Sequence, residues 1–269
     1  MHRRPTALLA IAVIRALACA SGGGAVPSGS SLPRGEVTTA APARPAPCTE
    51  VVPGALARAI AASRDGDSLC LLDGAHPGPI TVDRRVTIWG TRRAVIRSHG
   101  IGTTVRITAP GAALLGVTID GSGGSYDEQD AAVAIRANDA TVAGVKITGA
   151  VFGILADRCS RLTLRDNDVT GRAEETMGLR GDGIRLWEVR GSTVAGNHLR
   201  RSRDLVVWYS PGNRIERNEV TDSRSRVEKR GPIQSIWIGA SVTRSLPRGR
   251  RAWTSRHAST SRGPNGSSP

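Results

Sequence analysis

One pattern recurs in three short stretches of the sequence: LRDNDV at 164–169, VAGNHL at 194–199 and IERNEV at 215–220. Each stretch has an apolar residue three places before an asparagine and another two places after it. Two earlier stretches, LLGVTI at 114–119 and VAGVKI at 142–147, keep the pattern with Val at the asparagine position. The equivalent final residues are 28, 22, 30 and 21 residues apart, so the chain is a repeat with a unit of about 21–30 residues.

The content of each unit predicts an all-β solenoid. A unit holds short runs in which apolar and other residues alternate, separated by Gly, Asn or Asp turns. One unit cannot bury its apolar side, but stacked units share a continuous core. Asparagines at one corner of successive coils could then form an internal hydrogen-bonded ladder. We therefore predict a right-handed parallel β-helix over residues 48–222.

A short helix is predicted before the first coil. Residues 53–64, PGALARAIAASR, place Leu56 and Ile60 on one side of a helix, and Asp65-Gly66-Asp67 ends it. A stack of coils leaves unpaired strands at its first opening. We expect this helix to cap that opening.

The first 20 residues resemble an export signal. Two arginines precede an apolar run at 7–14, and small residues at 16–18 lead to Cys19. Either Cys19 carries a lipid, as in bacterial lipoproteins, or an ordinary signal is cleaved and Cys19 is lost. Both alternatives place the protein in the periplasm or another extracytoplasmic space, with membrane contact only through a lipid. Residues 21–47, rich in Ser, Gly, Ala and Pro, are predicted to be a flexible linker.

Three cysteines follow the predicted linker. In an oxidising compartment we expect a disulfide between Cys48 and Cys70, which lie on either side of the predicted helix. Cys159 is left over, and its pattern predicts a small buried apolar residue.

Positive charge is concentrated at the C-terminus. The formal net charge is +14, and residues 223–269 contain ten basic residues and one acid. Because the excess lies outside the repeats, we expect no nucleic-acid surface. The repeat pattern stops after Asp222, so the tail is either translated out of frame, which we favour, or a true basic disordered segment.

Four stretches carry a family resemblance. They are ARAIAASRDGDSLCLLDG at 57–74, ITVDRRVTIWG at 80–90, RGDGIRLW at 180–187 and NRIERNEV at 213–220. In this order they resemble the NosD family of exported β-helix proteins, which assist maturation of the copper enzyme nitrous-oxide reductase beside an ABC transporter. The resemblance implies a non-catalytic accessory protein whose partners are ABC transporter subunits and copper-enzyme clients. Any association with copper is implied by the resemblance alone, and the resemblance predicts further coils where this chain has its tail.

The residues themselves do not predict a metal site or a cofactor. Copper is held by clustered His, Cys or Met, and no two histidines after the predicted signal lie within four residues of each other. The repeat places His198 between Asp168 and Glu219 of the neighbouring coils. We interpret this column as a charge-balanced exposed ladder.

Catalysis is not expected either. A group of six acids lies in two enlarged turns, where carboxylates commonly keep a loop solvated. The acids are Asp127, Glu128, Asp130, Glu174, Glu175 and Asp182. The paired-carboxylate signatures of polysaccharide hydrolases are missing, so we assign no catalytic residue.

The remaining site candidates are aromatic. Trp187 and Trp208 each lie ten residues before a repeat asparagine, at positions expected to point outward. With Arg185 and Tyr209 they would form a surface for a protein partner or a sugar. The alternative is a shifted register that buries both indoles. A carbohydrate-binding or polysaccharide-modifying β-helix protein is therefore the second functional interpretation.

Overall fold

The computed structural model describes residues 41–172 and 179–222. Its strands form three parallel sheets, which confirms the predicted right-handed parallel β-helix. Sheet A contains β1 (Thr49–Val51), β2 (Ser68–Leu71), β5 (Thr87–Gly90), β8 (Ala113–Leu115), β11 (Thr141–Ala143), β14 (Thr163–Arg165), β17 (Thr193–Ala195) and β20 (Arg214–Glu216). Sheet B contains β3 (Gly74–Pro77), β6 (Ala94–Arg97), β9 (Thr118–Asp120), β12 (Lys146–Ala150), β15 (Asp168–Gly171), β18 (His198–Arg200) and β21 (Glu219–Thr221). Sheet C contains β4 (Ile80–Val82), β7 (Val105–Ile107), β10 (Ala131–Ile135), β13 (Phe152–Asp157), β16 (Ile184–Trp187) and β19 (Leu205–Trp208).

Each coil passes through sheet A, sheet B and sheet C in that order, which creates three corners. The AB corner is a two-residue turn in the coils that carry the repeat pattern. The enlarged turns of the sequence both lie at the BC corner, at 121–130 and 172–183. The insertions therefore fall on one side of the solenoid, where repeat proteins often carry their binding surface.

The N-terminal end is closed by a helix and an added strand. Helix α1 (Leu56–Ala62) is shorter than predicted, and it buries Leu56 and Ile60 in the apolar core. Strand β1 precedes the helix and pairs in parallel with β2. The end of the stack is thus covered, although the sequence pattern did not predict β1.

The core consists of stacked aliphatic side chains. Alternate residues of each strand point inward, so that Val105, Val133, Ile154 and Ile184 form one column in sheet C. Burying one such side chain is worth about 1.5–3 kcal/mol. This explains how a chain with few aromatic residues still forms a stable interior.

The predicted asparagine ladder lies at the AB corner. Asn167, Asn197 and Asn218 are buried, and each side-chain amide donates to the backbone carbonyl of a residue in the preceding coil. The Asn167 and Asn197 amides also donate to the Oδ1 of the next asparagine, both at 2.8 Å. These bonds satisfy backbone groups that the tight corner would otherwise leave unpaired.

A second polar ladder, which we did not predict, lies at the CA corner. Ser192 Oγ accepts from the Leu162 amide at 2.8 Å, and Asn213 Oδ1 accepts from the Ser192 amide at 2.8 Å. The accepting oxygen comes from Ser in one coil and from Asn in another, so no single residue type recurs in the sequence at this corner.

Several sequence predictions fall wholly or partly outside the described residues. These are the signal at 1–20, Cys19, most of the linker at 21–47, and the tail at 223–269. Within the described part, Pro42 and Arg44 of the predicted linker contact Trp89 of sheet A. No helix of the described residues is both long enough and apolar enough to span a membrane.

Candidate functional site

Three aromatic rings gather where sheet C meets the CA corner. Trp187 and Trp208 end the neighbouring strands β16 and β19 and lie opposite each other in the parallel register. Their ring centres are 5.4 Å apart, and the two ring planes are nearly perpendicular. The centre of the Tyr209 ring lies 5.2 Å from the centre of the Trp187 ring, and these two ring planes are also nearly perpendicular. Edge-to-face contacts of this kind are favourable for aromatic quadrupoles. We call these three residues the aromatic surface.

The strand alternation brings the rings to the outside. Ile184 and Leu186 of β16 point into the core, so Trp187 faces outward and is half-buried between its two neighbours. Trp208 is 46% exposed and Tyr209 is 69% exposed. Tyr209 has a left-handed backbone conformation, with φ of +51°. The half-buried Trp187 ring is thus partly covered by the more exposed rings of Trp208 and Tyr209.

Charged groups border the aromatic surface on the preceding coil. Asp157 lies opposite Trp187 in β13 and forms ion pairs with Arg136 at 3.1 Å and Arg158 at 3.0 Å. An apolar centre beside a polar border is the usual arrangement of a protein-binding surface.

Arg185, predicted to join the indoles, does not lie on the exposed surface. Its side chain is 13% exposed, with Nε 3.6 Å from an oxygen of Asp182. The guanidinium lies 5.0 Å from the centre of the Phe152 ring. The reason is that β16 begins under the BC corner, where the buried carboxylate of Asp182 attracts the cation.

Asp182 is the centre of a buried charge network. Its side chain is 0% exposed, and its Oδ1 lies 3.2 Å from Nε of Arg203 in the next coil. Arg203 also donates to the Tyr126 hydroxyl at 2.7 Å. Burial raises the pKa of the Asp182 carboxyl, although Arg203 and Arg185 act in the opposite direction.

This network fastens the enlarged turns to the outside of sheet C. Tyr126 packs on Phe152 with ring centres 5.2 Å apart, and together with Ala131 and Val151 they form a small apolar cluster separate from the main core. Arg172 donates to two backbone carbonyls, one of them in the turn at 121–130. The charged groups at this corner therefore stabilise the loops.

Two carboxylates of the described enlarged turns are engaged in the fold. Asp182 is paired with Arg203, and Asp130 is buried and accepts from the Ser125 amide at 3.0 Å, which closes its own turn. Asp127 and Glu128 lie in the same turn as Asp130 and are exposed. Glu174 and Glu175 lie outside the described residues. The two buried carboxylates therefore help to hold the described turns in place.

The column around His198 has the predicted register. His198 lies between Asp168 of β15 and Glu219 of β21. Asp168 is ion-paired with Arg200 at 2.9 Å and with Arg92 at 3.6 Å. Within residues 41–172 and 179–222, no three His, Cys, Asp or Glu side chains gather closely enough to hold a metal ion. In this column His198 and Glu219 are exposed and Asp168 is partly buried, and the interpretation as a charge-balanced ladder stays a prediction.

The cysteines of the described part have distinct states. Cys48 and Cys70 are joined in a disulfide, with Cα atoms 5.8 Å apart. Cys159 is buried, and burial, aided by the nearby Asp157 carboxylate, raises the pKa of its thiol to about 11. Cys159 is therefore a poor nucleophile and metal ligand near neutral pH.

Comparison with known proteins supports the fold and a family likeness. The family model described as "Right handed beta helix region" matches residues 131–241. Two curated relatives are each called "Probable ABC transporter binding protein NosD". The one from Stutzerimonas stutzeri is 31% identical over 133 residues, covering 49% of this chain and 30% of the relative. The one from Pseudomonas aeruginosa is 29% identical over 143 residues, covering 52% and 33%.

The chain is a right-handed parallel β-helix whose sequence is similar to that of NosD proteins over about half of its length. It spans about a third of the length of the curated relatives that it matches. The family match continues past the last described strand to residue 241. The boundary predicted at residue 223 stays a prediction.

Two solved structures align with part of the chain at low identity. The catalytic domain of a GH87 α-1,3-glucanase in complex with nigerose aligns with a TM-score of 0.48 and 15% identity, covering 69% of this chain and 37% of the glucanase. An alginate lyase from a Paenibacillus species aligns with a TM-score of 0.36 and 13% identity, covering 65% and 67%.

Proposed function

We propose that this chain is a non-catalytic, extracytoplasmic accessory protein for maturation of a copper enzyme of the nitrous-oxide reductase type. In this proposal it docks to an ABC transporter and to client proteins through the aromatic surface. The likeness to two NosD proteins supports the functional class. The observation that carries the docking role is the solvent exposure of Trp208 and Tyr209 around the half-buried Trp187.

The physical character of the aromatic surface suits a binding contact. Trp and Tyr are the residues that most often dominate binding energy, since they bury a large area and lose few rotamers. Here the contact between neighbouring rings and the parallel register of β16 and β19 hold the rings before a partner arrives. Ordering these side chains on binding should therefore cost less free energy than ordering isolated exposed rings.

The proposal includes export and an absence of stored copper. The predicted signal at 1–20 would deliver the chain outside the cytoplasm, and Cys19 would carry a lipid if the lipoprotein alternative holds. Intact mass measurement of the mature protein distinguishes a lipidated Cys19 from an ordinary cleaved N-terminus. Docking by contact requires neither a metal nor a catalytic residue in the solenoid.

Binding to the cognate transporter tests the proposal. The full mature chain should bind the transporter in nanodiscs, and Trp187→Ala with Trp208→Ala should weaken binding at least about 30-fold, which corresponds to about 2 kcal/mol. Biolayer interferometry measures the dissociation constants. Circular dichroism should show that the strand signal persists in the double variant.

A matched control uses apolar side chains that are exposed elsewhere. Ile101→Ala with Leu179→Ala removes two exposed residues of the BC corner and should leave transporter binding unchanged. If the tryptophan variant binds as tightly as the parent chain, the contact lies elsewhere. If the chain binds only a polysaccharide, the carbohydrate interpretation replaces the accessory role.

A further inference from the structure

A shallow trough runs along the AB corner of the first coils. Its floor is Gly90, Gly116 and Gly144, which present no side chains. Gly90 is the last residue of β5, and Gly116 and Gly144 directly follow the register-paired strands β8 and β11, so the three glycines occupy equivalent places in successive coils. Trp89 and Arg92 line it as well. A cavity of about 260 Å³ remains in the trough. Pro42 and Asp166 also line this cavity.

The chain's own N-terminal segment occupies part of this trough. The Trp89 indole Nε1–H donates a hydrogen bond of 2.8 Å to the Pro42 carbonyl. The Pro42 ring covers the floor so closely that a Cβ on Gly144 would lie 2.6 Å from its Cδ. Proline beside a tryptophan that donates to its carbonyl is a recurrent mode of recognising extended peptides.

An arginine two residues later adds a second contact to the same tryptophan. The Arg44 guanidinium lies 5.9 Å from the centre of the Trp89 ring, within reach of a cation–π interaction. Its other contact is an ion pair of 2.9 Å with Glu50. The trough thus contacts three features of the segment: a proline ring, a backbone carbonyl and a cation.

The disulfide holds the segment in place. Cys70 of β2 lies three strand spacings, or about 14 Å, from β11, and the six residues from Cys48 to Pro42 span about 19 Å when extended. The bond between Cys48 and Cys70, together with the pairing of β1 with β2, therefore fixes the segment where it can reach the floor at Gly144. A short tether of this kind gives an effective concentration of the order of millimolar or above.

We propose that the trough is a binding site for extended, proline-containing peptides, and that the disulfide keeps it occupied by the chain's own residues 41–44. The unfilled space beside Pro42 leaves room in the trough for more than its present occupant. The trough ends at Asp166, which stands where the preceding coils have glycine. When the tethered segment no longer competes for the trough, a free peptide would bind there with its proline on the glycine floor and its arginine against Trp89.

The test uses the full chain with its own segment disabled. Pro42→Gly, Arg44→Ala and Cys48→Ser together should free the trough. A synthetic peptide with the sequence TAAPARPA is then added while the indole N–H resonance of Trp89, assigned by its loss in Trp89→Phe, is followed by NMR. We expect saturable shifts with half-saturation at about 1 mM or below, and shifts at least ten times smaller in the disulfide-bonded parent chain.

Two glycine variants provide matched controls in the disabled chain. Gly144→Ala should abolish peptide binding, because its Cβ would occupy the place of the proline ring. Gly191→Ala imposes a similar left-handed strain, with φ of +60° against +64°, but its Cβ would meet no atom within 4 Å. It should therefore retain binding.

Hydrogen exchange in the parent chain gives an independent measurement. The Trp89 indole should exchange slowly when the disulfide is intact and faster in Gly144→Ala. No response to about 10 mM peptide, an order of magnitude above the expected scale, would overturn the proposal even if the indole is protected. Equal peptide binding by the Gly144→Ala and Gly191→Ala variants would overturn it as well.

Discussion

The side-chain amide of Asn197 donates a hydrogen bond of 2.8 Å to Oδ1 of Asn218, one coil further along the solenoid. The same amide donates to the Leu164 carbonyl at 3.0 Å. Its Oδ1 accepts from both the backbone amide and the side chain of Asn167. Asn197 is therefore the middle member of the ladder, with both neighbours attached to it.

Replacing Asn197 by Val should lower the free energy of unfolding by about 3 kcal/mol or more. Valine fits the site sterically, since Val117 and Val145 hold this position in earlier coils. It removes the partner of the Asn167 backbone amide, of one Asn167 side-chain N–H and of the Leu164 carbonyl, and each such buried group costs about 1–3 kcal/mol. Asn218 Oδ1 keeps the backbone amide of residue 197 as its donor. Urea unfolding measures the change.

Thr193→Val is the matched control for the ladder, because it alters an outward-facing residue of the same coil. Its effect should stay within about 0.5 kcal/mol. A similar loss in both variants would show that the ladder bonds contribute little to stability.

The repeat made the inward-facing residues predictable. The alternation that places Ile184 and Leu186 inside also places Trp187 outside, because side chains of a strand alternate between its two faces. The ladder asparagines were predictable for the same reason, since they recur at one corner. These features depend only on position within the coil.

The position of the Arg185 side chain could not be predicted in this way. Its orientation depends on Asp182 and on Phe152, which lies 33 residues earlier in the chain. The trough was missed for a related reason. Residues 41–47 have the composition of a flexible linker, and only the fold brings Pro42 to the indole of Trp89, 47 residues later.

Thiol counting should find Cys48 and Cys70 protected in the unreduced protein. After unfolding without reductant, iodoacetamide should label Cys159, together with Cys19 if it is retained without a lipid. Removing the bridge by Cys48→Ser should cost about 3 kcal/mol in the chain-entropy model, given the separation of 22 residues. Labelling of Cys48 under unreduced conditions would contradict the bridge.

Native Cys159 should resist alkylation at pH 8. Its thiol has a pKa of about 11 because of burial and the nearby carboxylate of Asp157, so little thiolate forms. The reaction followed by mass spectrometry should accelerate strongly on unfolding. Rapid labelling of the folded protein would show that this corner opens.

Purified mature protein should retain no stoichiometric Cu(I) against a competing chelator. In the described part, the Cys48 and Cys70 sulfurs are bonded to each other and Cys159 is buried. The His76 ring is buried, with Nε2 2.9 Å from the Leu72 carbonyl. Colorimetric titration measures retention, and one tightly held copper per chain would contradict the non-storage mechanism.

Because of Asp182, the free energy of unfolding should fall as pH rises over a limited range, which is opposite to the usual effect of an aspartate. Burial raises the pKa of this carboxyl in the folded protein, so the folded state holds the proton at a pH where the unfolded chain has released it. Between the ordinary aspartate pKa of about 3.9 and the raised value, the free energy of unfolding therefore falls as pH rises.

Comparison with Asp182→Asn isolates this effect, because the variant lacks the titrating group. The free energy of unfolding of the parent chain minus that of Asp182→Asn, from urea unfolding at successive pH values, should decrease as pH rises through that window. Asp139 is the matched control of opposite sign, since the hydrogen bond from Arg161 lowers its pKa. Its stabilising contribution is lost as pH falls through the lowered value, so the corresponding difference for Asp139→Asn should increase with pH. Parallel curves for the parent chain and Asp182→Asn would show that Arg203 and Arg185 compensate fully for the burial of the carboxylate.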